Sequence, residues 1–277
     1  MTALAQAPAT ARPVRRERGR LARHSGYLTV RSLRALWRQP AFAAATLIQP
    51  IIWLLLFGQL FRSVVTIPGF GTGHGSYLEF ITPGIIMMTA LFSSGWAGTV
   101  YIEDMNRGVM DRLLASPVRR GAMVTGTLAY QALTTVLQTL VVLGIAWLAG
   151  ARFGGGVTGV AVTLLAAVLI SVIIASLSNA LALLLRQQEA LIGISQFIVL
   201  PLQFLSSAVM NTSLSPGWVR AVARDNPVDW AVVASRQALA TGTQWGAVWP
   251  RLGLLTAAAL VMACLATGAF RSYQRSL

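Results

Sequence analysis

The sequence predicts an all-α, polytopic membrane protein. It would have six transmembrane helices, an N-terminal interfacial helix, a short helix in an inner loop, and short outer helices between spans five and six. Three observations carry that expectation. Of 277 residues, 55% are hydrophobic and only 11% charged, whereas soluble domains carry about a quarter charged residues. The mean hydropathy of +0.65 is more than a soluble core can hide, which makes lipid the solvent. The apolar residues also fall in uncharged runs near the ~20 residues that cross a bilayer.

Residues 1–25 are rich in Ala, Pro and Arg and read as a disordered cytoplasmic basic tail, leaving 26–277 as a single transmembrane domain. Arg15-Arg16 is not promptly followed by an apolar core, so a twin-arginine signal is not expected. Between Tyr27 and Gln39 the spacing becomes helical. Arg31, Arg34 and Arg38 share one face, and Val30, Leu33, Leu36 and Trp37 another. Such a helix suits the bilayer surface, or equally a partner protein. Pro40 separates it from the first span.

The six spans are expected at 42–61, 81–101, 122–149, 157–185, 190–210 and 247–270. No charge lies between Arg120 and Arg152, nor between Arg152 and Arg186, and Gly154-Gly155-Gly156 supplies the turn that divides this stretch into two spans. The segment 211–246 is too aromatic for a loose loop, with Trp218, Trp230 and Trp245, and reads as short helices broken at Pro216 and Pro227.

Charge sets orientation. With the N-terminus inside, only Arg62, Arg152, Arg220, Arg224, Arg236 and Arg251 of the 22 basic residues lie outside. That bias puts both termini in the cytoplasm. The net charge of +14 is concentrated ahead of the first span rather than on an aromatic-studded polar surface, so no nucleic-acid partner is expected.

Several chemistries are excluded. Every basic residue is arginine, so the lysine of a Walker A loop is missing and the chain cannot bind ATP through a P-loop. One cysteine, Cys264, and two distant histidines, His24 and His74, leave no conventional metal site. No G-x-S-x-G or HExxH motif occurs, and no catalytic residues are assigned.

The inner loop from Glu103 to Arg120 has its own logic. Gly108 permits a sharp exit from the second span, Val109–Ala115 fits a two-turn helix, and Pro117 ends it. Met110, Leu113 and Leu114 form one apolar face, while Asp111 and Arg112 point elsewhere. Arg107-Gly108, Asp111-Arg112-Leu113-Leu114 and Pro117-Val118-Arg119 resemble the coupling loop of ABC exporter permeases of the drug and polysaccharide export class. Asn226-Pro227-Val228-Asp229-Trp230 with Arg236 resembles the N-P motif before the last span of permeases related to the daunorubicin-resistance subunit. Asn106 departs from the charged residue common in that family, which bears on partner choice.

The resemblance implies a non-catalytic permease subunit in a bacterial plasma membrane. Two copies of a soluble P-loop ATPase would bind ATP and Mg, and this chain would bind no cofactor. A second permease copy or a sister subunit would complete the path, and the cargo would be a hydrophobic drug, antibiotic, lipid or glycan. Arg107, Gly108, Met110, Asp111, Arg112, Leu113, Leu114, Pro117 and Arg119 would couple to the ATPase. Asn226, Pro227, Trp230 and Arg236 would form the outer motif.

From the residues themselves, Phe204, Ser206, Ser207 and Met210 suggest an adaptable pocket for apolar cargo. Gln49, Gln131, Gln138, Asn179, Gln196 and Gln203 either line a pathway or hydrogen-bond neighbouring helices. The alternative class is an ion-coupled secondary transporter or channel, which commonly places ionisable residues at mid-membrane. The expected spans hold essentially none.

The purified chain alone is expected to give no saturable binding of an ATP analogue. Micromolar affinity in a titration without partners would contradict the exclusion drawn from the missing lysine.

Overall fold

The computed structural model describes residues 40–61, 76–110, 120–208 and 215–275, all of them helix or short connection. The helices are α1 (Pro40–Leu60), α2 (Tyr77–Gly95), α3 (Thr99–Asn106), α4 (Arg120–Leu148), α5 (Gly156–Leu185), α6 (Gln188–Phe204), α7 (Gly217–Arg224), α8 (Pro227–Leu239) and α9 (Trp245–Arg275). The expected tail at 1–25 and interfacial helix at 27–39 lie outside the described residues.

Four stretches are long and apolar enough to cross a membrane: Tyr77–Asn106, Met123–Leu148, Gly156–Leu185 and Trp245–Phe270. The other two expected spans are shorter as described. The apolar part of α1 covers Thr46–Leu60. At 17 residues, α6 reaches about 26 Å, less than the ~30 Å hydrocarbon layer. It stops at Phe204 rather than continuing to Met210, because the backbone at 205–208 turns aside to hydrogen-bond α8. Large apolar side chains point outward along these helices, among them Ile52, Leu137, Phe197 and Leu260, as a lipid-facing surface requires.

The bundle is assembled around α5, which packs against α2, α4, α8 and α9. Its sequence explains that place. Ala167, Ser171, Ala175, Ser178 and Ala182 are all buried, and small residues let helix backbones approach closely where no hydrophobic effect drives association. The nearest approach is at α8: a Cβ on Gly155 or Gly159 would collide with the Ala238 carbonyl, and Gly155 N–H donates to the Leu239 carbonyl at 3.1 Å.

The second expected span starts at Tyr77 rather than Ile81, with Ser76 as its N-cap accepting from Glu79 N–H. It is also interrupted. The helix breaks at Gly95–Gly98, where Ala97 N–H and Thr99 N–H form tightened i→i−3 bonds. A break inside lipid leaves backbone groups that water cannot reach. Ser178 of α5 serves both sides: Gly98 N–H donates to its Oγ at 3.0 Å, and its hydroxyl donates to the Gly95 carbonyl at 2.7 Å. Polar residues elsewhere in the bundle also hold helices together. Gln131 Nε2 donates to Ser93 and Ser94, and Asn179 Nδ2 to Thr127, which favours packing over a pathway at those two positions.

Ser178→Ala leaves the Gly98 N–H and the Gly95 carbonyl without that hydroxyl and is expected to cost about 2–6 kcal/mol, and Gly98→Leu about 1–3 kcal/mol through overpacking. Both should lower the thermal midpoint of the purified chain in detergent, Ser178→Ala more strongly.

Candidate functional site

At one end of the bundle α8 is bound to the start of α2 and the end of α6. Asn226 caps α8, its Oδ1 accepting from Val228 N–H at 2.9 Å, and Pro227 occupies the first helical turn, where no N–H is needed. The other half of the Asn226 amide reaches outward, Nδ2 donating to the carbonyls of Leu202 at 2.6 Å and Leu205 at 2.9 Å. Asp229 stands three residues after the cap, where a capping-box carboxylate would bond back to the cap N–H. That N–H already donates to the Ala223 carbonyl, and Asp229 Oδ1 instead accepts from Ser207 N–H at 2.8 Å.

About two turns further along α8, Arg236 completes the contact. Its guanidinium lies 3.9 Å over the Phe80 ring and donates to the Phe80 carbonyl at 3.3 Å and to the Ser207 carbonyl at 2.9 Å. Burial lowers its pKa to about 10, opposed by the Asp229 carboxylate and then by Tyr77, so it remains charged at neutral pH. The planar fork therefore ties three helices through carbonyl groups rather than through a paired acid. We call this arrangement the α8 latch. It is not a fully satisfied network: Gln203 Oε1, Ser207 Oγ and Ser235 Oγ are buried with no partner among the described residues.

The opposite end carries the loop that follows α3. Arg107 N–H donates to the Glu103 carbonyl and Gly108 N–H to the Met105 carbonyl, with Gly108 at φ +64°. This left-handed glycine is the sharp exit the sequence suggested. Arg107 and Glu103 form an exposed ion pair at 3.6 Å. Val109 and Met110 begin a new helical turn.

Met110 points inward. Its side chain is fully buried, within a cluster of Tyr101, Met123, Leu183, Leu191 and Phe270 contributed by α3, α4, α5, α6 and α9. It anchors the loop to this chain's own helices. Asp111, Arg112, Leu113, Leu114, Pro117 and Arg119 lie outside the described residues.

Three of the four residues read as a cargo pocket lie among the described residues. Phe204 is 69% exposed and faces outward, while Ser206 and Ser207 are buried. Ser206 donates to the Gln203 carbonyl, and the Ser207 backbone is held by Asp229 and Arg236. Met210 lies outside the described residues. All four members of the outer motif take part in capping or binding α8, Trp230 through Nε1 donating to the Arg224 carbonyl at 2.7 Å. Sequence reasoning missed the part played by Asp229. Its position after Asn226 signals an ordinary helix cap, and no local spacing points to a backbone N–H 22 residues upstream.

Residues 24–240 match the family model described as ABC-2 type transporter. The daunorubicin resistance ABC transporter permease protein DrrB1 of Streptomyces coeruleorubidus is 29% identical over 209 residues, covering 75% of this chain and 71% of the relative. A putative transport permease, ycf38, of Porphyra purpurea is 27% identical over 212 residues, covering 76% and 71%. The probable doxorubicin resistance ABC transporter permease protein DrrC of Mycobacterium tuberculosis is 25% identical over 191 residues, 69% of each chain.

Arg236→Met is expected to destabilise the chain by about 1.5–3 kcal/mol, the worth of hydrogen bonds to a charged group. Arg236→Lys should recover only a minor part, because a point charge cannot reproduce the planar fork over Phe80. Thermal unfolding of the two variants in the same detergent checks the ranking.

Proposed function

We infer the following role for a chain that belongs to the ABC-2 type transporter family by its match over residues 24–240. It is the multi-pass membrane permease subunit of an ATP-driven exporter and is itself non-catalytic. In the proposed assembly, two copies of a P-loop ATPase bind ATP and Mg, and a second permease, identical or a sister, completes the translocation path. We take the six-span topology for this chain, with α1 and α6 crossing alongside the four longer stretches. The tail at 1–25 and the α3 end then face the cytoplasm of a bacterial cell, and the α8 latch faces out. The relatives named for daunorubicin and doxorubicin resistance support a hydrophobic drug or antibiotic as cargo. A lipid or glycan is the other option.

The observation that carries the mechanism is the seat of Met110, where five helices converge beneath the loop. A push on the 107–119 segment from an ATPase would bear on all of them at once, with Leu113, Leu114, Asp111 and Arg112 as the proposed contacts. Such a lever needs two states that the partner binds differently. At the far end, the latch is the contact that outward opening would break. Its orphaned buried oxygens support that role, since a partly satisfied polar network is less costly to open than a complete one.

Leu113→Ala with Leu114→Ala removes two side chains worth about 1.5–3 kcal/mol each when buried. Membrane insertion should persist while co-purification of the ATPase and cargo-stimulated hydrolysis fall. Met110→Ala should leave ATPase binding and weaken the stimulation. Wild-type coupling in the double variant at normal membrane levels would overturn the assignment.

A further inference from the structure

The helix α7 is only eight residues long and makes little contact with the rest of the fold beyond α8, yet its three sides differ sharply in chemistry. Ala223 is buried, with Val219 beside it. On one flank Trp218 and Val222 are 65% and 45% exposed and stand one turn apart. On the other flank Arg220 and Arg224, also one turn apart, are exposed and join no ion pair among the described residues. Helical geometry puts the two flanks nearly opposite each other. An exposed apolar edge is unfavourable in water, and a bare arginine pair is unexpected on the arginine-poor side of a membrane protein.

The level of α7 in the fold explains both flanks. The same end of the bundle carries Trp147 at the end of α4, under the Arg152 guanidinium at 5.7 Å, and the stacked pair Trp245 and Trp249 at the start of α9. Trp147 and Trp249 are 57% and 61% exposed. Tryptophans concentrate where acyl chains meet headgroups, so these residues mark the interface plane. Trp218 belongs to this end of the bundle through the contact of α7 with α8.

From this we propose that α7 is a docking surface for anionic phospholipid. Trp218 and Val222 enter the acyl boundary, and Arg220 and Arg224 take headgroup phosphates from above. Charge complementarity and the exposed tryptophans at the same end of the bundle identify the occupant. An apolar edge opposed by two arginines fits a leaflet with anionic headgroups, because each edge then meets its own layer. The docked helix is also tied to the latch: Trp230 Nε1 holds the Arg224 carbonyl, and Asn226 follows α7 after a single residue.

The test uses the full chain carrying Val222→Cys on a Cys264→Ala background, labelled with an environment-sensitive fluorophore. It is reconstituted in vesicles of phosphatidylcholine with or without phosphatidylglycerol. Shallow spin-labelled lipid should quench the label and aqueous iodide should not. The lipid quenching should rise with phosphatidylglycerol and fall again in high salt. Arg220→Gln with Arg224→Gln should abolish the phosphatidylglycerol- and salt-dependent part, and the double lysine variant should retain it. Iodide-accessible label in every vesicle overturns the docking, and lipid quenching identical in neutral vesicles overturns the anionic specificity. An impermeant thiol reagent on sealed vesicles reports which side α7 occupies. A failed orientation is thereby distinguished from a failed docking.

Discussion

A hydroxyl group in the middle of the bundle sets the terms for the rest of the structure. The helix that would otherwise run unbroken from Tyr77 to Asn106 is interrupted at Gly95–Gly98, and Ser178 takes up the N–H and the carbonyl that the interruption frees. In hydrocarbon each such group would cost several kcal/mol if left alone. The break thus requires α5 to lie against it, and Ala175, Ser178 and Ala182 keep the face of α5 small enough there for close approach. From that contact the other positions follow, with α4, α8 and α9 closing around the same helix.

The bundle that results treats its two ends differently. Below the break, Met110, Tyr101 and Phe270 meet in an apolar cluster with no charge among them, and dense packing passes a displacement on. Above it, a larger apolar cluster is joined at its outer end by hydrogen bonds to backbone carbonyls through Asn226 and Arg236. Such bonds are directional and exchangeable.

Much of this was legible in the sequence because membrane spans are announced by uncharged length. The helices α4, α5 and α9 start and end within a few residues of the runs read from composition, and Gly108 turns where a glycine was required. What could not be read depends on distant partners. Nothing local marks Met110 as a residue that turns inward. Ser206 and Ser207 resemble pocket residues in sequence, but their burial comes from α8 folding back over them. The early end of α6 has the same origin. Asn226-Pro227 announces the start of α8, while Leu202 and Leu205, whose carbonyls Asn226 binds, carry no signal, since any residue offers a carbonyl.

The contact of α8 with α5 has a further mechanical consequence. Most helix pairs meet through side chains, and rotamer changes give such joints some compliance. Where Gly155 and Gly159 face Ala238 there is only backbone, with the Gly155–Leu239 hydrogen bond alongside. A joint without upholstery transmits torque instead of absorbing it. Rotation of α5 would carry α8 with it as one stiff spar, concentrating shear on the seam with α2 and α6.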